Sequence, residues 1–309
     1  MPISNTEDEN KVIRTWGVPT DLEVTGEELG KLHHHEVMQC LDIIELERGS
    51  RVAGHRGYFL KGLGVLLNQA LINFGIKQLM QKGYTPTQPP FFVKKSVMEA
   101  TCQLSDFSEN LYQVEGNEEG EPYYLIATSE QPISAMHLRE WIEPADLPKH
   151  YAGISSCFRK EAGSHGKDVW GIFRVHQFEK VEQFVYCDPK TSWEEFEKMI
   201  ATSEDFYKAL ELPYQVIAIV SGALNDAAAM KYDLEAWFPG YKAFRELVSC
   251  SNCTDYQARA LETRYALKNT PEKLYVHMLN GTMCATERTM CCIMENYQTP
   301  EGLRIPKVL

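Results

Sequence analysis

The sequence predicts an α+β fold, an antiparallel sheet flanked by helices. Three observations carry that expectation. Stretches with strand-like alternation outnumber stretches with helical period, most are joined by short turn-rich loops, and strands and helices do not alternate as a parallel sheet would require. The strongest pair of runs, residues 158–161 and 173–184, flanks a loop rich in glycine, serine and charge and reads as an antiparallel hairpin.

The elements follow in chain order. Residues 1–30 are polar and acidic and read as an irregular lead-in. A helix is expected over 35–48 on an uneven stripe of Val37, Leu41 and Ile44, then a short strand over 56–62 closed by Gly62. Leu63, Leu66, Leu67, Ala70, Leu71 and Phe74 give the next helix one broad apolar face. The following segment, 83–92, contains Pro89-Pro90, which excludes a central strand and points to a sheet edge or a subunit contact. A hairpin tip at 116–121 separates runs 111–114 and 123–126. Thr128, with Gln131 completing a capping box, is expected to start a helix running towards Trp141. An amphipathic helix spans 193–210, and strands are expected over 214–220, 232–238, 244–249 and 274–279. Asn280-Gly281-Thr282 then leads into a helix whose apolar face uses Met290, Ile293, Met294 and Tyr297, with a short tail after it.

Composition narrows the function. With 309 residues and 44% hydrophobic content the chain can build one large core. A net charge of −12 argues against broad, unspecific nucleic-acid binding, although a local basic groove remains compatible with it. No apolar run approaches the roughly 20 residues that span a bilayer, so no membrane partner is expected. Nine cysteines and opening residues that do not resemble a secretory signal fit reduced thiols in the cytoplasm. Cys250 and Cys253 have the spacing of a zinc pair, but no second pair accompanies them, and the His33-His34-His35 tract is isolated; no zinc is expected. There is no glycine cradle of either common nucleotide-binding type, so a bound nucleotide must be held by side chains on a sheet. The adjacent Ser164 and His165 make a poor nucleophile and base, since loop neighbours seldom face each other.

The hairpin carries the chemistry. Period-two spacing puts Arg159 and Glu161 on one face of its first strand and Arg174, Phe178 and Glu182 on one face of its second. A guanidinium fork suits a phosphate, a carboxylate an ammonium, and a ring a base. On the residues alone, a solvated face laced with cross-strand ion pairs is an equal alternative.

The ordered motifs go further. Gly83 with Pro89-Pro90, the 158–161 and 173–180 runs, and Gly281-Thr282-Met283-Cys284-Ala285-Thr286-Glu287-Arg288 resemble the three motifs of class II aminoacyl-tRNA synthetases. Together with Thr128-Ser129-Glu130 and the 244–253 stretch, the chain resembles the catalytic domain of the eukaryotic-type seryl-tRNA synthetases. The resemblance implies the class II antiparallel sheet and activation of L-serine with ATP, followed by transfer to the 3′ end of tRNA(Ser). It implies that Arg159 holds the α-phosphate and the serine carboxylate. Glu161 and the Val175, His176, Gln177 and Phe178 segment would hold adenine, Phe178 stacking on the base and Arg288 covering its other side or the γ-phosphate. Lys160, Glu246, Leu247, Val248 and Ser249 complete the ATP-binding set, and Arg159, Glu161 and Arg288 the catalytic set. Glu246 and Ser249 would bind Mg2+, which requires a bulge, because residues three apart face opposite ways on a flat strand. Thr128, Arg159, Glu182, Asn280 and Thr282 would bind serine, with Glu182 on its ammonium. The 163–171 loop would approach the acceptor stem, and the motif 1 region would form a homodimer contact.

Members of the family carry a long N-terminal helical arm that grips the tRNA, and this chain opens where that arm would end. Residues 1–34 are therefore read as a polar lead-in at that junction and 35–309 as the catalytic domain, with weak charging of full-length tRNA expected. An amino acid:carrier-protein ligase and a non-catalytic paralogue are the alternative readings.

Overall fold

An eight-stranded sheet organises the structure, a computed structural model that describes residues 1–102, 110–115, 120–161, 169–265 and 274–309. β1 (Lys11–Trp16) is followed by α1 (His34–Cys40), β2 (Ile44–Glu45), α2 (Leu46–Ala53) and β3 (Phe59–Leu60). α3 (Leu63–Gln81) leads to β4 (Thr85–Thr87), β5 (Phe92–Lys94) and α4 (Lys95–Thr101). β6 (Gln113–Val114) and β7 (Tyr123–Leu125) join β5 in a small sheet, and α5 (Glu130–Ser134) and β8 (Trp141–Ile142) come next. The long strands β9 (Lys149–Phe158) and β10 (Gln177–Cys187) precede α6 (Ser192–Ala209). β11 (Tyr214–Ala218), β12 (Met230–Phe238) and β13 (Ala243–Asn252) form a meander. α7 (Tyr256–Ala260), β14 (Arg264–Tyr265), β15 (His277–Ala285) and α8 (Thr286–Tyr297) complete the main body.

The large sheet runs β1-β11-β12-β13-β15-β10-β9-β4. Each of these pairings is antiparallel except β4 with β9, which is parallel. β4 lies at the edge, as the neighbouring prolines require. The alternation of β10 divides its two faces. Val181, Val185 and Cys187 join the main core with Leu71 of α3, Phe196, Met199 and Phe206 of α6, and Met290 and Ile293 of α8. On the opposite face, Phe184 and Tyr186 pack with Ile133, Ile142, Ala258 and Leu261, while Phe178, Lys180 and Glu182 line a cavity. A one-residue slip would exchange the two sets, so the apolar core fixes the register of the site.

Several expectations need correction. The lead-in is not irregular throughout: β1 pairs with β11, Trp16 stacks on Tyr214 at 5.9 Å, and Arg14 lies 2.6 Å from Glu204. The helix expected over 35–48 is two short helices, because Asp42 adopts φ 52 and Ile44 pairs with Leu60. The face of α3 is rotated from the expected one; Leu67, Leu71, Ile72 and Leu79 are buried, whereas Leu63 and Leu66 are 73% and 64% exposed. α5 stops after Ser134 instead of reaching Trp141, where Arg139, at φ 61, donates its N–H to the Leu261 carbonyl at 2.9 Å. Tertiary pairing, not capping, sets that end. The strand expected at 158–161 occupies Lys149–Phe158, and its partner starts at Gln177 and not at Phe173. The strand expected to end at Leu279 continues to Ala285, so Asn280, Gly281 and Thr282 lie inside β15. A Cβ on Gly281 would stand 3.2 Å from both Cys250 Sγ and Met199 Cε, which explains a glycine in mid-strand. No described helix is long and apolar enough to cross a membrane.

Candidate active site

The cavity opens on the face of the sheet away from α6 and α8 and is framed by β10, β12, β13, β15 and the chain just beyond β9. Pairing of β9 with β10 continues one step past the strands, where Arg159 N–H donates to the His176 carbonyl at 2.9 Å. That link carries Arg159 over the cavity, its guanidinium carbon 5.1 Å from the centre of the Phe178 ring and its Nε donating to Ala127 O at 3.3 Å. Glu161 follows at φ 50, a conformation that costs a non-glycine residue of order 1 kcal/mol. It turns the carboxylate onto Arg174 Nη1 at 2.9 Å. Arg288, the third residue of α8, lies over Phe173 at 4.9 Å and donates Nη1 to Glu246 O at 3.1 Å. Burial holds its guanidinium below the usual value.

The bulge required between Glu246 and Ser249 is present. Leu234 pairs with Val248 and Glu235 with Glu246, so Leu247 is an extra residue on β13. Glu246 and Ser249 both line the cavity in consequence. They offer hard oxygen donors, and Mg2+ usually takes few protein ligands beside phosphate and water, so the pair fits that ion. Among the described residues no cluster of three His, Cys, Asp or Glu side chains has a metal-binding arrangement. β15 repeats the device: Val181 pairs with Cys284 and Glu182 with Thr282, leaving Met283 extra. Asn280, Thr282 and Ala285 therefore all reach the cavity wall.

At the inner end, Thr128, Glu130, Lys180, Glu182, Asn280 and Thr282 converge. Lys180 Nζ donates to Thr128 Oγ1 at 2.8 Å and lies 2.5 Å from Glu182 Oε2. Glu130 Oε1 accepts from Asn280 Nδ2 at 2.9 Å and from Gln257 Nε2 at 2.8 Å. Burial, reinforced by the nearby Glu182, pushes the Glu130 carboxyl up to about 7.

The structure thus brings together Thr128, Arg159, Glu161, Val175, Phe178, Glu182, Glu246, Leu247, Ser249, Asn280, Thr282 and Arg288. Lys160, His176, Gln177 and Val248 are not among the lining residues. The Val248 side chain is in the main core, the alternate face from Ser249, and His176 and Gln177 line a separate cleft behind Phe178. Their side chains do not face the cavity, so a part in nucleotide binding would fall to their backbone. His165 and Lys167, expected near an acceptor stem, lie outside the described residues. Sequence reasoning missed Glu130, Lys180, Lys231, Asn225 and Glu287 as lining residues. Lys180 had a signal, since it completes the period-two row Phe178, Lys180, Glu182. Glu287 had none: it is buried under Tyr58, whose hydroxyl donates to Glu287 Oε1 at 2.9 Å across 229 positions of sequence. The Cys250 and Cys253 thiols are both buried and pushed well above their usual value by that burial.

Residues 112–297 match the tRNA synthetase class II core domain (G, H, P, S and T). The cytoplasmic serine–tRNA ligase of Dictyostelium discoideum is 58% identical over 308 residues, 99% of this chain and 66% of that protein. The crystal structure of the cytoplasmic serine-tRNA ligase of Naegleria fowleri in complex with AMP superposes with a TM-score of 0.93 at 53% identity, covering 99% of this chain and 72% of that one. The seryl-tRNA synthetase of Pyrococcus horikoshii complexed with ATP gives 0.91 at 43% identity, covering 99% and 71%. The chain spans about two thirds of the length of such relatives. With the class II sheet, the three ordered motifs and these likenesses over nearly its whole length, the chain belongs to the seryl-tRNA synthetase (serine–tRNA ligase) family of class II aminoacyl-tRNA synthetases.

Proposed function

We propose that the chain activates L-serine with ATP, giving seryl-adenylate and pyrophosphate, and transfers serine to the 3′ end of tRNA(Ser) in the cytoplasm. The observation that carries this reading is the convergence of a phosphate-type fork, a stacking ring and a buried polar pocket in one cavity. In activation, a serine carboxylate oxygen attacks the α-phosphorus and the bond to pyrophosphate breaks. Arg159 lies where it can hold both the carboxylate and the developing phosphoryl charge, a role suited to a rigid two-pronged donor. Phe178 offers its face to adenine, with Arg288 and Glu161 beside it. Mg2+, held by Glu246 and Ser249, would neutralise phosphate charge when bound. Thr128, Glu182, Asn280 and Thr282 enclose the serine side chain. Transfer then has the terminal ribose hydroxyl attack the seryl carbonyl, releasing AMP.

The test is ATP–pyrophosphate exchange. It is expected to require serine and Mg2+ and to discriminate against alanine by about 10⁴-fold, because the hydroxyl's buried partners would be left unpaired. Equal exchange with alanine, or none with serine, overturns the reading.

Glu130 adds a pH dependence. Its neighbours in charge are Glu182, Lys180 and Arg159. Glu130 lines the same inner end as the serine set and is taken as a partner of the serine ammonium; a carboxyl raised to about 7 must lose its proton before it can serve there. Exchange at low serine should therefore climb as pH rises through about 7 and level off above it. Glu130→Gln should flatten that limb; an unchanged limb in the variant would assign it to another group. The same raised value makes Glu130 cost stability as pH rises through that range, since the folded chain holds its proton more tightly than the unfolded one.

The exposed side of α3 supports a homodimer. Leu63 and Leu66 are largely bare there, with Val65 and Met80 of the same helix also exposed, apolar side chains of the kind that mark association. Sedimentation at micromolar concentration should give a dimer; a monomer would contradict this assignment.

A further inference from the structure

We infer that Lys180 is a positioning residue for serine: its ammonium pairs with Glu182 and fixes Thr128, so that the inner pocket leaves Glu130 as the carboxylate open to the substrate. The inference deepens the proposed serine site and rests on that reading. Lys180 is 7% exposed and Glu182 2% exposed. An ammonium buried so deeply costs several kcal/mol unless it is paired and hydrogen-bonded. Here it has both a carboxylate at 2.5 Å and a hydroxyl at 2.8 Å. Neither partner serves the core; both Thr128 and Glu182 line the cavity, as does Lys180 itself.

The charges explain the arrangement. Glu182 stands close enough to Glu130 to resist its ionisation, and a cation beside the two carboxylates offsets that repulsion. Lys180 supplies that cation for Glu182, and Arg159 is the other positive group acting on Glu130. Glu130 is held instead by the amides of Asn280 and Gln257, which carry no charge. The position foreseen for the serine ammonium, against Glu182, is thus already taken by Lys180. The serine ammonium is left to Glu130, and Glu182 Oε1 to the serine hydroxyl. The Lys180–Thr128 hydrogen bond also orients the Thr128 hydroxyl, which accepts a further bond from Glu130 N–H at 3.3 Å.

Calorimetric binding of serine and of ATP, together with exchange, on the full chain and its Lys180→Met and Lys180→Arg variants tests this over about pH 6 to 9. Lys180→Met should weaken serine about tenfold or more while ATP affinity stays within about twofold, because only the serine end loses its charge balance. The pH limb for serine binding should also move upward, because the Lys180 charge that favours ionised Glu130 is lost. Lys180→Arg, which retains the charge, should restore the limb even where its bulk weakens serine. A Met variant that keeps wild-type serine affinity and limb overturns the inference. So does one that loses serine and ATP alike with the limb unmoved, the signature of a merely structural lysine. Should Lys180→Met fail to fold, Lys180→Gln, which can still bond Thr128, is read by the same criteria. Wild-type serine binding without exchange would overturn the proposed reaction and leave this inference standing; absence of serine binding would overturn both.

Discussion

Arg159→Ala should lower serine-dependent pyrophosphate exchange by about 10²-fold or more, the loss typical when a preorganised donor to developing charge is removed. The structure indicates why the loss would be chemical and not structural. The residue enters the fold through its backbone, with its N–H on the His176 carbonyl and its own carbonyl accepting from His176 Nδ1 at 3.0 Å. Those bonds survive replacement by alanine. What disappears is a guanidinium lying along Phe178 and anchored on Ala127 O. No carboxylate pairs with Arg159 among the described ion pairs, whereas Arg174 and Arg288 face Glu161 and Glu246. Arg159→Lys, which keeps the charge but not the fork, should fall between wild type and alanine. Single-turnover adenylate formation measures the step directly, and near-normal rates in the alanine variant would remove Arg159 from the mechanism.

Glu182→Ala should produce two separable defects. The first is a drop in kcat/KM for serine of about 10²-fold, with ATP affinity retained, from loss of a carboxylate in the proposed serine pocket. The second is a loss of stability of about 3–5 kcal/mol, since removing one member of a buried pair leaves the other charge unpaired. Lys180, 7% exposed, is that stranded charge. Adding Lys180→Met to Glu182→Ala should therefore recover most of the stability in urea unfolding without recovering serine activation. Full stability in the single variant would mean that the pair contributes nothing to the fold.

Much of this was legible in the amino-acid order because the two periodicities are strong where the core is thick. Phe178 and Glu182 could be placed on one face from period two alone, and the shared role that the family resemblance implied for Glu246 and Ser249 called for a bulge between them. What escaped was set by partners distant in sequence. The face of α3 depends on which side the sheet covers, and a helix apolar on nearly all sides does not announce it. β1 hid in polar surroundings because an edge strand with one covered face needs few apolar residues. The strand before Asn280 was expected to stop at Leu279, yet it runs on through Gly281, where close approach of Cys250 and Met199 selects a glycine. Lys180 was passed over for a different reason: it completes the period-two row of Phe178 and Glu182, but a lysine among alternating residues usually snorkels into water, and its burial beside Glu182 is what gives the position weight.

The two extra residues, Leu247 and Met283, have a consequence for which changes the site can absorb. Swapping the side chain at either position leaves the tally of residues along the strand intact, so the flanking carboxylate, hydroxyl and amide groups keep their aim. Deleting either one shortens that tally. Everything on one side of the gap must then either face the opposite way or drag the rest of the strand along by about 3.4 Å, the rise of one antiparallel residue. Between Glu246 and Ser249, that would force a choice between the cavity-facing carboxylate and hydroxyl and the core packing of Val248 and Cys250. The active site is thus spelled by length as well as by letters, and a lineage can change Leu247 or Met283 far more easily than lose it.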